Sequence, residues 1–129
     1  MIAVDASAIL AIYFKEPEAA RFREFLSGRG GVMSPVNHWE VLARAYVDAG
    51  EAGVAAAEDL IEALDIEVAT ISASQSRAAA EAFQRFGKRA AAALNLGDCF
   101  AYALAQAEGD GLLFKGDDFP KTDVKPALS

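Results

Sequence analysis

The sequence predicts an α/β fold: a three-layer α/β/α sandwich around a central, mostly parallel sheet of four to five strands. Three observations predict it. Short apolar runs recur at 2–5, 32–34, 66–71 and 112–114. The chain between successive runs is long enough for two helices, and strands that alternate with helices pair in parallel with both faces covered. Acids stand where strands end or helices begin, at Asp5, Glu40, Asp98 and Asp117, and the strand ends of such sheets converge on one crevice.

The elements follow in order. IAVD (2–5) is a buried strand closed by an acid, and ASAILAIYF after it reads as a helix with Ser7 in its first turn. Pro17 opens a second helix, amphipathic through Phe22, Phe25 and Leu26, that ends at Gly28, Gly30 and Gly31. VMS (32–34) is the second strand. Ser34-Pro35 then starts a helix as N-cap and first helical residue, and that helix runs to Gly50. A fourth helix covers about 51–64, and IEVATI (66–71) is a β-branched strand. Ser72 caps an alanine-rich helix that stops at Gly87, and KRAAAALN (88–95) reads as loop. Asn95 caps LGDCFAYALAQAE, Gly109 ends it, and LLF (112–114) is the fourth strand. KGDDF is a loop, and DVKPA adds at most a short edge strand because Pro126 lacks a ladder donor.

The 129 residues suit one domain spanning 1–129, with no internal repeat or linker. No apolar run approaches the ~20 residues that span a bilayer, and the N-terminus lacks the basic start of a signal peptide. A single cysteine, Cys99, forms no intrachain disulfide, which fits a cytoplasmic protein. A hydrophobic fraction of 53% exceeds what a small monomer needs and points to a buried interface as well as a core. The net charge of −7 does not exclude a nucleic-acid partner, since cations bound by the four acids would offset much of it.

Each acid has an ordinary explanation when taken alone. Asp5 is a helix cap, Glu40 a solvated helix residue, Asp98 the partner of Asn95 in a capping box, and Asp117 and Asp118 turn residues. Together, at the same end of successive β/α units, they make a candidate site for a hard divalent cation, because clustered carboxylates repel unless a cation lies between them. The sole histidine, His38, reads as a helix residue with a local hydrogen bond, and Cys99 as a small buried hydrophobe. Arg85, Lys88 and Arg89 form a basic helix end, with RNA phosphate contact as the sharper alternative. Tyr13, Phe14, Trp39 and Tyr46 read as core aromatics.

The opening MIAVDASAIL, the SPVNHWEVLARA helix, the NLGDCFAYALA helix and the LLFKGDDFPKTDV close span the chain end to end. In that order they resemble PIN-domain ribonucleases, specifically VapC-type toxins of type II toxin–antitoxin modules. The resemblance implies a PIN-like sandwich and a metal-dependent endoribonuclease that hydrolyses RNA by metal-activated water. It places the family's four acids on Asp5, Glu40, Asp98 and Asp117, with Asp118 or Asp123 able to share or replace the last. Asp5 and Asp98 would hold the principal Mg²⁺, with Mn²⁺ as the alternative. Glu40 and Asp117 would complete its shell or hold a second ion, and Ser7 and Asn95 would orient ligands by hydrogen bonding. It further implies a cognate VapB-type antitoxin, lying near the early helices, and a homodimer.

Rival readings fit less well. A haloacid-dehalogenase-type phosphatase needs a second Asp at position 7, where this chain has Ser7. A receiver domain needs an acceptor Asp after a middle strand, and IEVATIS offers none. A catalytically silent PIN-fold binding module and another metal-dependent phosphohydrolase remain as alternatives.

Overall fold

A computed structural model describes residues 1–128. The strands are β1 (Ala3–Val4), β2 (Gly31–Met33), β3 (Ile66–Val68) and β4 (Leu112–Leu113). The helices are α1 (Ala6–Tyr13), α2 (Ala19–Leu26), α3 (Pro35–Ala63), α4 (Ala73–Phe86) and α5 (Leu96–Glu108), and a 3₁₀ turn covers Phe119–Lys121. The sheet runs β3-β2-β1-β4 and every pairing in it is parallel. The chain steps outward from β1 to β2 and β3, then crosses to lay β4 against the free side of β1. Strand order therefore reverses between β1 and β4, which opens a crevice at their carboxyl ends.

Alternation along these short strands divides the core in two. Ile2, Val4, Met33 and Leu113 join a cluster with Ile9 and Ile12 of α1, Phe22 and Leu26 of α2, and Val41 and Ile61 of α3. Ala3, Val32 and Leu112 face the other way, into a cluster with Ala79 and Ala82 of α4 and Tyr102 and Leu104 of α5. The small residues Ala101, Ala103 and Ala105 let α5 lie close on the sheet.

The two helices expected on either side of Gly50 are present as the arms of α3. Ala49 (φ −145°, ψ 22°) and Gly50 (φ 61°, ψ −146°) leave helical geometry and turn the chain back. The arms then touch at Gly53, where a Cβ would lie 2.2 Å from the Ala45 carbonyl oxygen. Contact between His38 Nε2 and Glu58 Oε1 at 3.2 Å also joins them. The loop expected at 88–95 is present too, anchored by the buried Ala92 and Leu94.

Two strands are shorter than the sequence suggests. β3 stops at Val68 rather than residue 71, because its partner β2 ends at Met33 and Ser34 already caps α3. The edge strand at DVKPA reduces to one parallel bridge, Leu112 to Pro126, so the sheet has four strands. Among the described residues no helix is long and apolar enough to cross a membrane.

Candidate functional site: an acidic cleft at the strand switch

Asp5 follows β1 at the switch point and caps α1. Its Oδ2 accepts the Ser7 backbone N–H at 3.0 Å. Ser7 in turn uses Oγ to accept the Lys115 N–H at 3.0 Å, which ties the segment after β4 to the start of α1. Asp5 is only 5% exposed. Burial pushes its carboxyl up from 3.8 to about 7; the two Ser7 hydrogen bonds oppose this, and the nearby charges of Asp98 and Glu40 add to it.

Glu40 lies in the second turn of α3. Its Oε1 accepts a hydrogen bond from Asn37 Nδ2 at 2.8 Å. Burial raises its carboxyl above the ordinary range, Asn37 opposes the shift and the Asp98 charge adds to it. Asp98 stands in the first turn of α5 and completes the capping box read from the sequence. Asn95 Oδ1 accepts the Asp98 N–H at 2.9 Å, and Asp98 Oδ2 accepts the Asn95 N–H at 3.0 Å. The Asp98 carboxyl is also raised, chiefly by burial and further by the charge of Asp118.

These three acids line one cleft of about 390 Å³, with Ser7, Leu10, Trp39 and Arg44 among its other walls. Their donors are carboxylate oxygens. The Cys99 thiol lies instead in the groove between α4 and α5. Hard oxygen donors suit a hard divalent cation, and its positive charge is what three mutually repelling carboxylates lack. As they stand, no three acidic, histidine or cysteine side chains among the described residues are close enough to hold an ion.

The fourth predicted acid stands apart. Asp117 and Asp118 are both exposed beyond β4, and Asp117 is not part of the cleft wall. The charge felt at Asp98 is that of Asp118. Asp123 has other partners: its Oδ1 accepts the Tyr102 hydroxyl and its Oδ2 pairs with Arg85 at 3.1 Å. Arg85 also lies over the Phe86 ring at 4.6 Å, and its side chain stays more than half exposed.

A PIN domain model matches residues 2–125. The chain belongs to the PIN-domain family. Ribonuclease VapC42 of Mycobacterium tuberculosis is 39% identical to it over 129 residues, covering 98% of each chain. Ribonuclease VapC30 of the same organism is 35% identical over 123 residues, covering 94% of each. Ribonuclease VapC of Mycolicibacterium smegmatis is 37% identical over 127 residues, covering 94% of this chain and 95% of that one. The crystal structure of Mycobacterium tuberculosis VapC20, a sarcin-ricin loop cleaving toxin, superposes with a TM-score of 0.78. It covers the whole of both chains at 15% identity, a likeness of fold.

Sequence reasoning passed over two residues of this PIN-domain cleft. Asn37 reaches both Glu40 and α5, and its signal was the three-residue spacing that puts it on the helix face of Glu40. Gly97 gives the Glu40 carboxylate its room, and its signal was a glycine in a helical first turn, where propensity disfavours it. The core assignment fails for Phe14, at the end of α1, and for Trp39 and Tyr46 on α3, the last two 67% and 57% exposed. For Trp39 and Tyr46 the reason is that α3 turns its other face, through Val41 and Ala45, to the core.

Proposed function

We propose that the acidic cleft is where this chain, a ribonuclease toxin of a toxin–antitoxin module, cuts RNA. The observation that carries the reading is the meeting of Asp5, Glu40 and Asp98, from three separate elements, in one cleft at the switch point of a PIN-family sheet. Asp5 and Asp98 would hold the principal Mg²⁺ or Mn²⁺, and Glu40, lining the same cleft, would complete its shell. Asp117 and Asp118, exposed on the loop after β4, would take part only if that loop brought one of them to the cleft. A bound divalent cation supplies Lewis-acid polarisation of the phosphodiester and makes water more acidic near neutral pH.

The chain's own residues do the rest. Ser7 keeps Asp5 Oδ2 fixed through its N–H, and Asn95 keeps Asp98 Oδ2 fixed through its own. The exposed Trp39 ring offers an unstacked base a surface beside the acids, and the exposed Arg44 offers a phosphate its guanidinium. The scissile phosphodiester then lies against the acids, and hydrolysis leaves no covalent enzyme intermediate.

The partners follow from the same kinship and from what the surface exposes. Trp39, Tyr46 and Val47 make an exposed apolar stripe on α3, which suits a VapB-type antitoxin segment. The apolar groove of about 420 Å³ between α4 and α5, flanked by the exposed Phe83 and Leu96, suits a second copy in a homodimer. One sheet shared by both apolar clusters supports a single domain over 1–129, and the lone cysteine supports a cytoplasmic site of action.

RNA-end sequencing after induced expression, with and without Asp5→Asn, tests the reading. New RNA ends that depend on Asp5, and cleavage in vitro that a chelator stops and Mg²⁺ or Mn²⁺ restores, are expected. Cleavage that survives both the substitution and the chelator rules the cation site out.

A further inference from the structure

Asn37, in the first turn of α3, is fully buried, at 0% exposure. Its Nδ2 donates to Glu40 Oε1 at 2.8 Å and to the Gly97 carbonyl oxygen at 3.0 Å, across 60 residues of chain. Both partners are acceptors, so the amide group must point its NH₂ at them and cannot be flipped. Among the described residues its Oδ1 then has no hydrogen-bond partner, although it is buried. Buried polar atoms are seldom left unpaired, so the position calls for an explanation, and the geometry of the two bonds supplies one.

The two acceptors belong to two arms of the acidic cleft. One is the Glu40 carboxylate itself. The other is the peptide that leads directly into Asp98. The same amide therefore fixes one carboxylate and tethers the helix start that carries the other. Gly97 completes the arrangement, since a Cβ there would lie 2.2 Å from Glu40 Oε1. The charge of Asp98 also acts on Glu40, and the amide bridges the two elements that carry these acids.

We propose that Asn37 is a positioning residue that sets the Glu40–Asp98 spacing before a divalent cation arrives. This rests on the cation site of the preceding section. The cation affinity of the RNA-free protein then depends on a side chain that touches no cation, as affinities commonly depend on the groups that orient ligands.

The test is a calorimetric Mn²⁺ titration of the RNA-free protein, full chain, for the wild type, Asn37→Ser, Asn37→Leu and Gly97→Ala. Circular dichroism confirms that each variant is folded at the titration temperature. Serine is too short to reach both acceptors, and leucine keeps the volume but donates nothing. Gly97→Ala keeps Asn37 and displaces the Glu40 carboxylate instead. Affinity weaker by about 10- to 100-fold in all three is expected. A lower melting temperature in the Asn37 variants with Mn²⁺ affinity within about twofold of wild type overturns the inference, because that is the signature of a structural tie alone. Should both Asn37 variants fail to fold, unchanged affinity in Gly97→Ala overturns it on its own. A wild-type protein that binds no Mn²⁺ overturns the cation site itself, and the inference with it.

Discussion

The Glu40 carboxylate occupies the space that any side chain at position 97 would need. A Cβ on Gly97 would lie 2.2 Å from Glu40 Oε1 and 2.4 Å from Oε2. Alanine favours a helix over glycine by about 1 kcal/mol, and the group in the way is the end of a flexible side chain. Gly97→Ala therefore leaves the melting temperature unchanged or raises it, while Glu40 swings from its place. RNA cleavage falls by about tenfold or more. Thermal melts and cleavage rates on the same preparation check this, and a variant that is stable and fully active removes Glu40 placement from the mechanism.

How legible these features were depended on whether the signal was local. Asp5, Ser34, Ser72 and Asn95 as helix caps, and Gly50 as a break, rest on short-range backbone chemistry, and each stands where its residue type predicts. The β/α order, with the family resemblance, pointed to four acids at one crevice, and three of them, Asp5, Glu40 and Asp98, line one cleft while Asp117 does not. The end of β3 at Val68 was hidden, because it depends on where β2 hands over to α3. The exposure of Trp39 and the role of Asn37 were hidden too. Both depend on which face of α3 meets the sheet and α5, and a window of the sequence does not contain the other side of a contact.

The buried Asp5 carboxyl carries a pH dependence of stability. It keeps its proton up to about 7 in the folded chain, against 3.8 ordinarily. Between those values the native state binds more protons than the unfolded one, so stability falls as pH rises through this window. About three units correspond to a loss of the order of 4 kcal/mol, complete above pH 7. Glu40 and Asp98, both raised, act in the same direction. Urea unfolding of chelator-treated protein from pH 4 to 8 should show the decline. Mn²⁺ should reverse it at pH 8, and Asp5→Asn should flatten it. Stability that rises over this range contradicts the burial argument.

Gly50 adopts φ 61° and ψ −146°, a region that side chains rarely enter. Nothing lies within 4 Å of a Cβ built there, so the cost of substitution is backbone strain alone. Gly50→Ala should lower unfolding free energy by about 1–3 kcal/mol with no change in the urea m-value. The arms of α3 must stay folded together for Gly53 to keep its contact with Ala45. A neutral Gly50→Ala would mean that the reversal of α3 is set by packing of its arms and not by the hinge.

The acids after β4 differ in their partners, and that difference separates their roles. Asp123 accepts the Tyr102 hydroxyl and pairs with Arg85, while Asp118 places its charge on Asp98. The Arg85 pair is half exposed, so screening leaves it little weight. The Tyr102 bond carries more, because Tyr102 is buried and its oxygen also accepts Gln106 Nε2 at 3.3 Å. Asp123→Asn and Tyr102→Phe should each cost about 1 kcal/mol of stability and leave cleavage by the folded protein close to wild type. Asp117→Asn and Asp118→Asn should spare stability and lower cleavage. Cleavage rates normalised to folded protein, with urea midpoints alongside, decide it. If Asp123→Asn silences a folded protein while the two loop variants stay active, the fourth acid of the site is Asp123 and the loop after β4 must close further over the cleft.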